Sequence, residues 1–392
     1  MLRLRETGAG LTRRHNKAWR WGLTAHAAVI SIFIVCAVAG FSAQIRRPSG
    51  RTPAPAAARH PPFKAIFEPV SYAQDVEFAD VFFIDRETGW VCGHHRTDAG
   101  DRGVIIATHD GGRTWALQVD GAQSATPPIT RLFFADGTHG WATRTDGTLL
   151  RTIDGATWDA IGVMNPLDPF VFTSAETGFA LDGTSIQRTT DGGRTWRPAY
   201  ECRVAVDVQG TQLCQPATIA FAPGGNTGFV VTQPTPGHSA AVIKTVDGGD
   251  TWTVSSRVPD VSEQTGGLVF TDPFTGLLRS GRTLKSTLDG GQTWNDVVAP
   301  VPAGDPKILM VGPVGWMVHG QDFSYTLDAG KRWNSRTIEF PSSVLSFSLP
   351  TPDTGYVVGS HGMVYRYRVV PFAYSVPKML TIPALAGFVS GN

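Results

Sequence analysis

Six aspartates recur along this 392-residue chain in one local setting: THDGGRTW (108–115), TIDGATW (152–158), TTDGGRTW (189–196), TVDGGDTW (245–252), TLDGGQTW (287–294) and TLDAGKRW (326–333). Their acids, Asp110, Asp154, Asp191, Asp247, Asp289 and Asp328, lie 44, 37, 56, 42 and 39 residues apart. A carboxylate can serve as acid, base, nucleophile or metal ligand, but a reaction centre needs one or two of them in a unique setting. A sixfold acidic motif is not an active site. What six copies can do is hold six turns. Asp accepts hydrogen bonds from nearby backbone amides, Gly takes positive φ, and the closing aromatic, Trp115, Trp158, Trp196, Trp252, Trp294 or Trp333, packs between units.

Cysteines are the other reactive group. Cys36 falls in an apolar run and Cys92 in a predicted strand, whereas Cys202 and Cys214 stand twelve apart in one insertion. In an oxidising compartment that pair suits a local disulfide, the alternative being two free buried thiols. No Cys/His group has zinc-ligand spacing. No phosphate-binding Gly-Lys loop, dinucleotide fingerprint or G-x-S-x-G elbow is present, so neither cofactor nor metal is expected.

Six equivalent turns require a repeated scaffold. A period near 40 residues with one tight turn per unit implies four short strands per unit, the build of a β-propeller. A second signature lies upstream of each turn: TGW (88–90), HGW (139–141), TGF (177–179), TGF (227–229), TGL (275–277), VGW (314–316) and TGY (354–356), seven in all. Before each stands a short apolar segment such as DVFFID, RLFFAD or LVFTDP, consistent with a buried inner strand. Each unit therefore reads as an inner strand, a short turn, a second strand from the Gly-aromatic pair, a third ending in Thr-x-Asp, and an outer strand after the Trp. The seventh unit ends in MVYRYRV without an Asp turn. Its outer strand is expected from PFKAIFEP (62–69), ahead of the first unit, which closes the ring and removes free sheet edges. The predicted fold class is all-β, a seven-bladed β-propeller over residues 62–368.

The T-x-D-G-G-x-T-W turn resembles the Asp-box, or bacterial neuraminidase repeat. The combined pattern of inner strand, TGW or TGF, strand and Asp-box resembles the family of photosystem II stability and assembly factors across residues 62–368. That resemblance implies a non-enzymatic, protein-binding propeller on the lumenal or periplasmic side of a membrane, helping to assemble a membrane complex. The expected partner is then a membrane-protein subunit or assembly intermediate. The N-terminal apolar run and spacer, the Cys202/Cys214 insertion and an apolar tail depart from a simple assembly factor, and suggest a bacterial relative with a different client.

Asp-box propellers also include sialidases, xyloglucan-cleaving hydrolases and sorting receptors, so fold alone does not give function. No Arg-Ile-Pro signature precedes the first repeat, and seven units depart from the six blades of sialidases. The alternative reading is a glycan-binding or glycan-hydrolysing propeller. Hydrolysis needs two facing carboxylates, for which Asp98, Asp101, Asp182, Glu201 and Glu263 are the candidates.

In a four-stranded blade the first and third turns lie on one face, the second turn and the link to the next blade on the other. The second set holds nearly every insertion: 93–103, 121–130, 197–217, 233–240, 254–267 and 299–307. Variable connections on one rim of a rigid scaffold are where binding is expected. His94, His95, His238, His319 and His361 fall there, as do Arg96, Arg102, Arg144, Arg279 and Arg282. These ten are the partner-binding candidates: a polar, partly basic rim that recognises carboxylates or an acidic protein segment. Ordinary solvated turns are the alternative. Blades 6, 7 and 1 are consecutive, so His319, His361 and either His94 or His95 would be the residues to share a metal, although a polar rim without metal is preferred.

Charge is divided unevenly. Of 34 bases and 33 acids, ten bases and only Glu6 precede residue 61, so 24 bases and 32 acids remain in the folded part. Such an acidic domain is a poor general nucleic-acid binder. Six bases in the basic N-terminus 1–21 precede an uncharged run of 24 residues, 22–45, longer than the roughly 20 needed to cross a bilayer. The basic flank predicts a cytoplasmic N-terminus. Ala37-Val38-Ala39 suits signal peptidase, so a cleaved signal sequence is the competing reading. Residues 46–61, rich in Pro and Ala, read as a spacer holding the propeller off a bacterial inner membrane on its exported side. The tail 369–392 mixes Pro371, Pro377 and Pro383 with apolar residues and either packs on the propeller or belongs to an interface.

Overall fold

The computed structural model describes residues 63–70, 72–121, 125–205, 210–234 and 239–371. The apolar run, the spacer, the basic N-terminus and residues 372–392 lie outside them. Among the described residues, no helix is long and apolar enough to cross a membrane.

Seven four-stranded antiparallel sheets follow one another along the chain. Blade 1 is built from Glu77–Phe83, Gly89–His95, Arg102–Thr108 and Ala116–Asp120, paired in that order. Blades 2 to 6 repeat the order from inner strands Ile129–Phe134, Phe170–Phe172, Pro216–Phe221, Thr265–Phe270 and Lys307–Val311. Blade 7 consists of Val344–Thr351, Thr354–Gly359 and Val364–Pro371, with Phe63–Pro69 as its outer strand. The register sets Phe63 opposite Pro371 and Pro69 opposite Tyr365. The expected seven blades and their closure by the first strand are thus observed. Inner strands of neighbouring blades touch, and Val344–Thr351 meets Glu77–Phe83 where the ring closes.

The two sequence signatures meet at the seams between blades. The Gly-aromatic side chain of one blade stacks on the Phe that ends the next blade's inner strand: Trp90 on Phe134 at 3.7 Å, Trp141 on Phe172 at 3.5 Å, Phe229 on Phe270 at 3.6 Å. The Asp-box Trp of that next blade then meets the same Phe edge-on, as Trp158 does Phe134 at 5.8 Å. Each such Phe is held between two aromatics in the stacked and T-shaped arrangements that ring quadrupoles favour. Glycine before the aromatic is a packing requirement: a Cβ on Gly89 would lie 2.3 Å from the Phe83 ring.

The Asp-boxes behave as hydrogen-bonded knots. Thr114 donates to Asp110 twice, its N–H to Oδ1 at 2.9 Å and its hydroxyl to Oδ2 at 2.7 Å, while the Thr108 hydroxyl donates to Oδ1 at 2.9 Å. Asp191, Asp247 and Asp289 repeat the pattern; Asp154 does so in a turn one residue shorter, and at Asp328 an Arg332 replaces the Thr. Donors aimed at a carboxylate stabilise its charged form. The Thr114 hydroxyl and amide hold the Asp110 pKa down to about 2, and the Thr293 pair does the same for Asp289. Each knot is also laced to the first turn of its own blade, as where Gly111 N–H donates to the Glu87 carbonyl at 2.9 Å. These turns are fully engaged in folding.

One insertion forms a separate hairpin, Arg203–Ala205 with Thr211–Leu213. Cys202 and Cys214 bridge its base with Cα atoms 5.1 Å apart, buried in the cluster that holds Ile219, Val230 and Trp252. Cys92 is a free buried thiol whose pKa burial pushes well up.

Candidate functional site: the loop-bearing face

Second turns and inter-blade links emerge opposite the Asp-boxes, so the candidate side chains share one face of the ring. At the seam of blades 7 and 1, His361 sits with φ of 58° in its turn and shares a hydrogen bond with Asp75, Nδ1 to Oδ1 2.9 Å. Asp75, Glu77 and His361 bring ligand-type atoms within 4.8 Å of one another. His95 Nδ1 reaches the Asp75 carbonyl at 3.2 Å, and His94 Nε2 lies 3.6 Å from Asp101 Oδ2. His319 is exposed on blade 6 and does not join this group. The lesser reading, in which histidines of blades 6, 7 and 1 share a metal, is not met among the described residues; His361 there groups with two acids instead. His238 lies outside the described residues.

Between blades 2 and 3 the face opens into a groove of about 650 Å³. Val163, Met164, Leu181 and Trp196 supply apolar wall, and Asp146, Asp168 and Asp182 supply acid. Burial, and then the charge of Asp182, raise the Asp168 pKa. Asn165 donates to the Asp168 carboxylate at 2.9 Å, and Arg131, over the Phe170 ring, donates to the Asp168 carbonyl at 2.9 Å. Arg144 adjoins the groove at the same turn, half-buried, with its Nε buried and without a hydrogen-bond partner.

The remaining arginines divide. Arg96 and Arg282 are exposed, and half-buried Arg102 donates to the Ala99 carbonyl at 3.0 Å. Arg279 departs from the sequence reading. It is 3% exposed, pairs with Asp305 through Nη2 and points Nη1 at the backbone carbonyls of Gln264 and Gly281. Its second strand carries it inward beneath the link from blade 5 to blade 6, so it is no docking residue. Of the possible hydrolytic acids, Asp98 and Asp101 belong to blade 1, Asp182 and Glu201 to blade 3, and Glu263 to the link after blade 4; Glu201 is paired with Arg203 at 2.8 Å. Asp75, Glu77, Asp146 and Asp168 escaped the sequence reading because acids in turns and links carry no local pattern.

A family model described as photosynthesis system II assembly factor YCF48 matches residues 62–201. The resemblance to the photosystem II assembly factors holds. A structure of YCF48 bound to D1 peptide aligns at 19% identity with a TM-score of 0.52, covering 79% of this chain and 98% of that one. YCF48 from Cyanidioschyzon merolae aligns at 17% identity and TM-score 0.52, over 77% of this chain and 98% of the other. The GH74 enzyme of Niastella koreensis aligns at 13% identity and TM-score 0.41, over 74% of this chain and 52% of that enzyme. No curated protein matches by sequence. The stretch matched by the assembly-factor model ends with blade 3, so it contains the whole groove between blades 2 and 3 and the strand that closes blade 7.

Proposed function

We propose that this protein is a non-enzymatic docking propeller that binds a membrane-protein subunit or assembly intermediate and helps to build or stabilise its complex. The observation that carries the reading is the asymmetry of the ring. One face is spent on closed hydrogen-bonded knots, whereas the other collects the long links, the groove and the unburied Arg96, Arg102, Arg144 and Arg282. Guanidinium groups on a preformed surface recognise carboxylate-bearing polypeptide without reorganising the scaffold. The likeness to a YCF48 structure holding a D1 peptide supports a polypeptide ligand.

In this reading residues 22–45 anchor the chain in a bacterial inner membrane, with 1–21 in the cytoplasm and the propeller on the exported side. Phe63 and Pro371 lie opposite each other at the Asp-box end of blade 7.

The test is crosslinking and pull-down of the tagged full-length protein in cells, against a variant with Arg96, Arg102, Arg144 and Arg282 changed to Ala. Enrichment of a membrane-complex subunit that disappears in the variant supports docking at this face. A second reading, glycan binding or hydrolysis, is favoured by the raised Asp168 beside Asp182 in a groove. Turnover of a glycan by the purified protein, abolished by Asp168→Asn or Asp182→Asn, would overturn the non-enzymatic reading.

A further inference from the structure

The groove between blades 2 and 3 has a chemistry opposite to that of the arginine rim. Among the described residues its lining holds three acids, Asp146, Asp168 and Asp182, and no Lys, Arg or His. Asp146 is kept ionised by the Thr148 N–H at 2.9 Å and, more weakly, by Arg144. Arg131 gives its guanidinium to the Asp168 carbonyl rather than to the carboxylate. Burial and the charge of Asp182 disfavour an ionised Asp168, a penalty that a cation beside the two carboxylates relieves. The mouth is apolar and open: Val163 is 77% exposed, and Leu167, between the lining residues Pro166 and Asp168, is 81% exposed. Trp196 lines the same groove, half-buried. The Asp-box Trp residues of blades 1, 2, 5 and 6 each give their indole N–H to an oxygen at 2.9 to 3.1 Å, whereas that of Trp196 meets no acceptor among the described residues.

We propose that this groove takes one basic residue, Lys or Arg, of a client polypeptide, with its charged head on Asp168 and Asp182 and its apolar neighbours against Trp196 and Leu167. The inference rests on the docking reading above and names the chemistry of the segment that docks. Carboxylates beside an indole are what an ammonium or guanidinium group requires, because the first supply charge-assisted hydrogen bonds and the second a ring face. An indole N–H without an acceptor suits a backbone carbonyl of the same segment, and Trp is a frequent anchor of binding surfaces. The volume of about 650 Å³ falls within the roughly 300–1,000 Å³ of pockets that enclose small ligands, so it admits a few residues and not a folded domain. Its walls are preformed. Met164 N–H donates to the Gly147 carbonyl at 2.8 Å, Asp168 N–H to the Asn165 carbonyl at 3.1 Å and Leu181 N–H to the Pro169 carbonyl at 3.0 Å, so little ordering is required on binding.

Selection of a phage-displayed random-peptide library on the full-length protein in detergent tests this. Enriched peptides are expected to carry Lys or Arg next to Leu, Ile, Phe or Trp. The best of them, synthesised with blocked ends, should bind about tenfold more weakly to the double variant Asp168→Asn, Asp182→Asn. Binding should also weaken in Leu167→Ser, whose exposed position leaves the fold intact and which decides the matter if the double variant melts early. An acidic or uncharged consensus, no enrichment, retention of a neutral oligosaccharide but no peptide, or equal affinity for the folded variants overturns the proposal. Acidic peptides that are lost when Arg96, Arg102, Arg144 and Arg282 are changed to Ala would overturn it while leaving the docking reading intact. Failure of the in-cell capture of a membrane-complex subunit would instead sink the docking reading itself.

Discussion

Phe83 of blade 1 lies flat against Tyr356 of blade 7, ring centroids 3.4 Å apart and planes 3° from parallel. The Tyr356 hydroxyl donates to the Arg86 carbonyl at 2.7 Å. These residues are 273 positions apart in a chain of 392, and their contact repeats, at the point of closure, the stack that joins other neighbouring blades. The closing seam is thus built from the same parts as the others.

Removing that ring should loosen the seam that closes the circle. Tyr356→Ala is expected to destabilise the propeller by about 3–5 kcal/mol, as for other buried aromatic truncations, whereas Tyr356→Phe loses one hydrogen bond, about 1 kcal/mol. Urea unfolding checks both. Equal effects would mean that the stack contributes nothing to closure.

The seam also dictates its glycine. Gly89→Ala pushes a methyl into the Phe83 ring and should cost about 1–3 kcal/mol. Gly162→Ala is the control, since a Cβ there meets nothing nearer than 3.7 Å. Thermal melts should separate the two variants clearly.

Acid should loosen the Asp-box knots. Asp110, Asp191 and Asp289 have folded pKa values of about 2, led in each case by the hydroxyl of a Thr, against an ordinary 3.8. A depressed folded pKa means that their contribution is complete above about pH 4 and is lost as pH falls through 2. Asp289→Asn should lower the melting temperature at pH 7 and have little effect at pH 2. A pH-independent effect would show that the carboxylate charge is irrelevant to the knot.

Reduction should act locally. The Cys202–Cys214 bridge closes a short loop, for which chain entropy gives a stabilisation of about 3 kcal/mol or less. Reductant, or the double Cys→Ala variant, is expected to lower stability by up to that amount and to raise hydrogen exchange in 203–213 ahead of the blades. Uniform loosening of all seven blades would contradict the hairpin's separateness.

The arginines differ in kind. Arg282→Ala should leave stability within about 0.5 kcal/mol and reduce partner capture. Arg279→Ala should instead lower stability, because it empties a buried position and strips partners from the Gln264 and Gly281 carbonyls. Calorimetry and pull-down together distinguish the two roles.

Much of the ring was legible because it repeats. Phe134, Phe172 and Phe270 each end an apolar segment and each precede a strand that opens on Gly and a large apolar residue (Trp141, Phe179 or Leu277), so one packing unit is printed several times at a readable period. PFKAIFEP could be placed as the outer strand of blade 7 because that unit lacked one and a sheet edge demands pairing. The face was less legible. Arg279 and Arg282 are three residues apart and look alike in sequence, yet one is buried and the other exposed, since Arg279 lies in a strand buried along its whole length and pairs with Asp305 of the next link, whereas Arg282 lies in the turn beyond it.

By itself the sequence determined the blade count, the strand order, the Asp-box chemistry and the closure of the ring, because these are local or periodic and each repeat carries its own instructions. Only the tertiary structure decided that His361 meets Asp75 across 286 residues, that Asp168 shares a groove with Asp182, and that both ends of the described chain reach the Asp-box face. Those relationships depend on how irregular links cross from blade to blade. Such links have no period, and their side chains find partners only once the ring has set their distances.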